Sequence, residues 1–417
     1  MYYEEAKKNV MAILRQKGSP SLFVTLSCAE YSWDGLLKEI LETISGRKVT
    51  ETEIEDLTVQ QRNKIISENV VQSTLHFQKR IEKELKLMMY PNFFRDNCSL
   101  SVSSYFYRVE FQQRGAPHIH CLLWLEDIHG SPAPTFWNSE SDEKENSFED
   151  KIKKIENIAK MMISASDDDA LCDEHQMELE NIEKRNDEES CESCFSERYD
   201  FEKCPNHNIL DLSNSSCEKC KKQKGFVNKF QNHYHTFTCK KKRKTIIIRK
   251  NEGHGRLDEK IEGPKIANYT ECRFSFPQFP INRTQLILGT PKNIDPKEHS
   301  KRKSDLKKIK KFLIRQSYSE NKEESEQLKE FKKKSFMQFL FDVGMFDEKK
   351  SIETLSDIEK KVGYDRYVKA LSVSIRGTGA IFPRRNPKDV FTNNFNNRLM
   401  SVHKANHDVQ IVIDQVY

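Results

Sequence analysis

Tyr105-Phe106-Tyr107-Arg108-Val109-Glu110-Phe111-Gln112-Gln113-Arg114-Gly115-Ala116-Pro117-His118-Ile119-His120-Cys121-Leu122-Leu123-Trp124-Leu125 is the stretch that decides the fold. Arg114-Gly115-Ala116-Pro117 is turn chemistry between two runs, 101–113 and 118–125, that read as strands. On a strand, residues two apart share a face, so His118 and His120 project together and can grip one metal ion. Ile119 between them, and the apolar run after them, predict that the opposite face is buried. A His-x-His pair alone is a weak signal, because two strand histidines are more often structural than chemical.

Working outward, 21–28 reads as a strand. Trp33, Leu36, Leu37, Ile40, Leu41 and Ile44 then fall at helical spacing, with Ser32 as N-cap and Gly46 as stop. A second helix is predicted over about 66–89, with Val71, Leu75, Ile81, Leu85 and Met88 on one face. From 138 to 228 the chain turns acidic. Ser139-Glu140-Ser141-Asp142-Glu143-Lys144-Glu145 and Asp167-Asp168-Asp169 predict a surface-exposed insert, whose middle carries cysteines and a histidine. Segment 296–335 reads as a charged helix, followed by an apolar face of Phe336, Phe339, Leu340, Val343 and Phe346. No internal repeat is evident. Strand, helices, then a hairpin predict an α+β fold, an antiparallel sheet backed by helices.

At 417 residues the chain can bury a substantial core, yet only 36% is hydrophobic and 32% charged, so much of it must be surface. The net charge of +5 is too mild to prove nucleic-acid binding. Its distribution says more: 240–244 and the run from Lys301 to Lys311 are dense in Lys and Arg. Such runs are commonly solvated faces, and they also suit phosphate contacts or nuclear import. There is no long apolar stretch and the start is polar, so neither membrane span nor signal peptide is expected. Eleven cysteines, clustered and odd in number, argue for a reducing compartment and metal binding.

The string Glu110-Phe111-Gln112-x-Arg114-Gly115-x-Pro117-His118-Ile119-His120 resembles the HUH motif of Helitron-type rolling-circle transposases, in their Helitron helicase-like N-terminal domain. Other segments resemble the same family: 20–33, its first strand; 69–80, the helix before the hairpin; His233-Tyr234-His235-Thr236-Phe237-Thr238-Cys239-Lys240 with 272–277, its His/Cys segment; and 391–396 with 405–410, its last block before the catalytic tyrosines. The resemblance implies an HUH endonuclease palm with an added zinc-binding subdomain and a charged insert. It divides the chain into 1–137, the first part of that domain; 138–228, the acidic Cys-rich insert; 229–290, the His/Cys segment; 291–350, a charged helical region; and 351–417, the C-terminal part.

The implied activity is metal-dependent nicking and rejoining of single-stranded DNA through a phosphotyrosine. His118 and His120 would hold Mg²⁺ or Mn²⁺, and an oxygen ligand would come from Gln112 or Glu110, with Gln112 slightly favoured. The implied nucleophile is one of a Tyr-x-x-x-Tyr pair beyond Asp408-Val409-Gln410, but the sequence ends at Tyr417, which matches a non-catalytic tyrosine ahead of that pair. Tyr364 and Tyr367 precede the asparagine-rich block at the wrong spacing. The helicase half is missing, since no G-x-x-x-x-G-K-[ST] loop occurs, and so is the N-terminal zinc-finger extension; a truncated copy is expected, with nuclear location. His233, His235, Cys239 and Cys272 form one Zn²⁺ set. Cys191, Cys194, Cys217 and Cys220, in C-x-x-C pairs at ribbon-like spacing, form a possible second. Cys28, Cys98 and Cys121 read as ordinary buried thiols. The rival readings are a catalytically inactive DNA-binding remnant and a host-adopted, zinc-dependent interaction protein.

Overall fold

The structure, a computed structural model, describes residues 2–95, 100–111, 116–127, 129–133, 148–172, 174–175, 217–235, 239–247, 265–317, 326–345 and 357–413. It is α+β. The principal sheet has four strands: β1 (Leu22–Ser27), β2 (Leu100–Phe111), β3 (Pro117–Asp127) and β8 (His407–Ile411). Their order is β2-β3-β1-β8, and every pairing is antiparallel. Along β1 and β3 burial alternates with period two. Leu22, Val24, Leu26, Ile119, Cys121, Leu123 and Val409 are each fully buried on one face.

Helices back that face. After α1 (Tyr2–Lys17) come α2 (Asp34–Ser45), α3 (Glu51–Glu55), α4 (Val59–Glu68), α5 (Val70–Met88) and α6 (Phe148–Met162). Leu36, Leu37 and Ile40 of α2, Phe77, Ile81, Leu85 and Met88 of α5, and Ile158 and Met162 of α6 share one core with the sheet. Three expectations need correction. Trp33, not Ser32, caps α2, because a short 3₁₀ turn at Glu30–Ser32 precedes it; Gly46 does stop the helix, in the left-handed region at φ 66°. The helix expected over 66–89 breaks at Asn69; of its expected face Ile81, Leu85 and Met88 are buried, but Val71 and Leu75 are exposed and Ser73, Phe77 and Glu84 are buried as well. The acidic segment is not wholly a surface insert, since α6 lies in the core and Asp167, Asp168 and Asp169 meet Lys388 and Arg384 in a half-buried ion-pair knot.

A second core gathers α8 (Pro296–Ser317), α9 (Glu326–Lys332), α10 (Phe336–Asp342) and α11 (Asp357–Ser372) beside the pair β6 (Gln285–Leu288) and β7 (Gly379–Phe382). Leu306, Ile309 and Leu313 point inward from α8 while Lys301, Lys303, Lys307, Lys308, Lys310 and Lys311 are exposed, so the basic run is the solvated face of an amphipathic helix. Phe336, Phe339, Leu340 and Val343 are buried as expected; Phe346 lies outside the described residues. Between the cores run α7 (Glu218–Phe226), a π-helical turn at Val227–Gln231, and the pair β4 (Lys240–Ile247) and β5 (Lys265–Cys272).

The C-terminal block ties these parts together. Asn396 caps α12 (Asn397–His403), accepting from the backbone N–H groups of Arg398 and Leu399, and its amide donates to the carbonyls of Phe94 and Met162. Buried His407 accepts the Asn396 N–H at Nε2 (3.0 Å) and meets the Gln231 amide at Nδ1 (2.9 Å). His403, fully buried, sets Nδ1 against Glu84 (2.9 Å) and Nε2 against the Ser27 carbonyl (3.0 Å), and Arg80 pairs with Glu84 at 3.0 Å. This triad pins α5 and α12 to the end of β1 that lies opposite His118. Removing one member would strand a buried charge.

Asn396→Ala should cost about 2–4 kcal/mol, the lost cap plus two stranded carbonyls, read from denaturant midpoints. Burial, with the charge of His403 second, lowers the His407 pKa to about 3 from 6.5. The unfolded chain therefore binds the extra proton first. Stability from this group is complete above about pH 6.5 and is lost as pH falls towards 3, at up to about 1.4 kcal/mol per pH unit. Denaturant titrations across that window should show a shallower acid slope for His407→Asn.

Candidate metal centre

The site follows from strand parity. The β2–β3 hairpin closes with Phe111 opposite Pro117, so its loop is the odd-numbered stretch 112–116, and Glu110 falls directly opposite His118. Arg108 faces His120, which on its other side faces Thr25 of β1. All five residues lie on the sheet face away from the helices. Gln112, the favoured oxygen donor, lies outside the described residues; Glu110 lies beside both histidines, and the three could hold a metal ion.

His118 Nε2 and His120 Nε2 stand 3.1 Å apart, and a Glu110 carboxylate oxygen is 3.6 Å from the first and 3.4 Å from the second. Cis ligands of an octahedral ion with bonds near 2.1 Å are about 3.0 Å apart, and those of a tetrahedral ion about 3.4 Å. The three donors fit a divalent cation in either geometry, with the remaining positions open to substrate. Burial, then the charge of His120, holds the His118 pKa below its ordinary value, which favours the neutral imidazole a metal needs. Thr25 Oγ1 lies 3.1 Å from His120 Nδ1 and can accept a hydrogen bond from Nδ1–H, which leaves the Nε2 lone pair facing the centre. Phe23 stacks on the His120 ring at 5.3 Å and holds its plane.

Neither Tyr364 nor Tyr367 is placed as a ready nucleophile. Tyr367 is fully buried, donates to the Pro280 carbonyl at 2.7 Å, and has a phenol pushed well up by burial. Burial raises Tyr364 to about 12. Both pack on Phe336 in the second core. Tyr105 and Tyr107 pack against the first core, on the face opposite the histidines. Tyr417 lies outside the described residues.

The His/Cys segment converges. His233 Nε2 is 3.3 Å from His235 Nδ1 and 3.4 Å from Cys272 Sγ, and His235 Nδ1 is 3.4 Å from Cys239 Sγ. A tetrahedral zinc ion sets nitrogen–nitrogen and nitrogen–sulfur pairs about 3.3–3.6 Å apart, so this cluster could hold zinc. Pairing of Lys240 with Cys272 brings the distant fourth residue in, and Phe276 stacks on His233 at 4.4 Å.

The second set differs from expectation. Cys217 and Cys220 meet Cys172 and His175, residues the sequence reading missed although Cys172-x-x-His175 is ligand spacing; Cys191 and Cys194 lie outside the described residues. Cys121 is fully buried and Cys28 half-buried, with thiol pKa values raised by burial; Cys98 is outside the described residues.

Two histidines and a carboxylate on one face of a helix-backed antiparallel sheet, and the two His/Cys clusters, could each hold a metal ion. Residues 1–123 match the family model described as "Helitron helicase-like domain at N-terminus". The matched segment, similar to that family, contains Glu110, His118, His120, Thr25 and Phe23. No curated protein and no solved structure matches. Among the described residues no helix is long and apolar enough to cross a membrane.

Thr25→Val keeps the shape but removes the hydroxyl beside His120, and should weaken metal binding at Glu110, His118 and His120 about 10–100-fold, read by Mn²⁺ titration monitored by electron paramagnetic resonance.

Proposed function

We propose that Glu110, His118 and His120 form an HUH-type metal site that acts on single-stranded DNA in a Helitron-type Rep protein. The observation that carries this reading is the convergence of the three side chains on the open sheet face, within the segment that matches the Helitron model. Mg²⁺ or Mn²⁺ held there would draw charge from a phosphoryl oxygen of the DNA backbone.

The surrounding residues suit such a substrate. Arg108 sits opposite His120, with its guanidinium 3.5 Å from Glu110, a cation at the rim where a phosphate would lie. Phe23 and Phe106 share the face by register, through their common partner Leu122, and offer apolar surface to unstacked bases. A tyrosine attacking the phosphorus would break the bond to the 3′-oxygen, leaving a 5′-phosphotyrosine and a free 3′-hydroxyl. β8 carries the chain away from the histidines, since Ile411 pairs with Leu22 whereas His118 faces Ser27, so a tyrosine after β8 would have to return across the sheet. On this reading 1–137 and 351–417 supply two sequence halves of one nuclease domain, which the pairing of β8 with β1 supports. Nuclear location accords with the exposed lysines of α8.

Full burial of Tyr367 and half-burial of Tyr364 favour one second reading, a metal-dependent DNA-binding protein in which neither acts as nucleophile. Incubation of the chain with labelled single-stranded DNA and Mn²⁺, resolved on a denaturing gel, separates the two. A covalent adduct that disappears in His118→Ala/His120→Ala supports the nuclease; Mn²⁺-dependent retention without an adduct supports the binding protein. DNA affinity unchanged by Mn²⁺ and by the double substitution sinks both.

A further inference from the structure

We propose that Cys172, His175, Cys217 and Cys220 bind a structural zinc ion that clasps Cys172 and His175 to the start of α7 and seats α7 against the C-terminal block.

Cys172 Sγ lies 3.2 Å from His175 Nδ1, 3.5 Å from Cys220 Sγ and 4.0 Å from Cys217 Sγ, and Cys220 Sγ is 3.3 Å from His175 Nδ1. Around one tetrahedral zinc ion, sulfur–sulfur pairs stand about 3.8 Å apart and sulfur–nitrogen pairs about 3.5 Å apart. Three thiolates and an imidazole are a soft set that selects zinc over magnesium or manganese. Four protein ligands close the coordination sphere, which marks a structural rather than a catalytic ion. A disulfide does not account for the cluster, because it would use two sulfurs near 2.05 Å and leave His175 and a third cysteine without a purpose.

The backbone is arranged to support thiolates. The Cys172 N–H donates to Cys220 Sγ at 3.3 Å, and Cys217 stands at the N-cap of α7, where the helix dipole favours negative charge. Lys219 and Glu174 pair at 2.9 Å across the two ligand turns.

Both clasped segments grip the same part of the fold. Upstream of Cys172, Ser164 bridges to Phe395, and Asp167 and Asp168 pair with Lys388. Downstream of Cys220, Gln223 donates to Ser401 Oγ at 2.6 Å, and the π-helical turn brings Gln231 to His407. Ala170, Val227, Phe395 and Met400 pack where the two meet. The ion would therefore fasten to each other two segments, separated in sequence by residues 176–216, that both pack on the C-terminal block.

The test is zinc content of the purified full chain by inductively coupled plasma mass spectrometry. Cys172→Ser/His175→Ala should carry about one zinc ion per chain fewer than the unmodified protein, while Cys191→Ser/Cys194→Ser should match it. The reverse pattern, zinc lost only with Cys191 and Cys194, overturns the assignment. Alkylation mapped by mass spectrometry on the unmodified, zinc-loaded chain needs no variant: Cys172, Cys217 and Cys220 should resist labelling until a chelator is added, and Cys191 and Cys194 should label without it. Half-buried Cys217 labelling equally fast with and without the chelator also overturns the proposal.

Discussion

Everything about the candidate metal centre depends on the two-residue alternation of β3. Ile119, Cys121 and Leu123 are each fully buried against the helices. Transfer of such side chains from water contributes about 1.5–3 kcal/mol apiece, and that same burial forces His118 and His120 to the opposite face. A slip of one residue would bury two imidazoles and expose the apolar set, so the register that stabilises the core is also the register that builds the site. β3 is an inner strand, hydrogen-bonded on both sides, which removes the freedom to slip.

Around that strand the supporting contacts come from distant sequence. The Arg80–Glu84–His403 triad fixes the end of β1 beside His118, and Asn396 and His407 hold α12 and β8 in place. Apart from half-buried Arg80 these groups are buried, and they pair across the chain: Glu84 with His403, Asn396 with the Phe94 and Met162 carbonyls, His407 with Gln231. Such networks contribute little net stability when complete and destabilise strongly when broken. Their effect is to make one arrangement of the C-terminal block the only one with its polar groups satisfied.

Three of the clusters that could hold a metal ion differ in kind. Glu110, His118 and His120 offer nitrogen and oxygen donors on an open sheet face, which suits an ion that must also meet substrate. His233, His235, Cys239 and Cys272 offer two imidazoles and two thiolates, four ligands that can close a tetrahedron. Cys172, His175, Cys217 and Cys220 are softer still, with a single imidazole among thiolates.

Local pattern made the hairpin, the histidine face, the β1 strand, the Gly46 stop and the His233–Cys272 set legible in sequence, because each rests on spacing within one element or on ligand chemistry. It misplaced what depends on partners. Glu84 is buried on the apolar face of α5 because it meets His403 inside, a partner that helical periodicity does not contain. The acidic run around Asp167 read as solvent-exposed, since only the fold brings Lys388 and Arg384 to neutralise it. Glu110 and Gln112 share strand parity, so sequence alone left the choice between them open, whereas the distances bring Glu110 to both histidines. Cys217 and Cys220 were legible as ligands, but their partners were not: spacing identifies a pair, and only the packing of the 164–175 strip against α7 supplies Cys172 and His175. Sequence determined which residues could carry chemistry; tertiary structure decided which of them meet, because burial and long-range polar pairing act between segments whose separation along the chain carries no local signal.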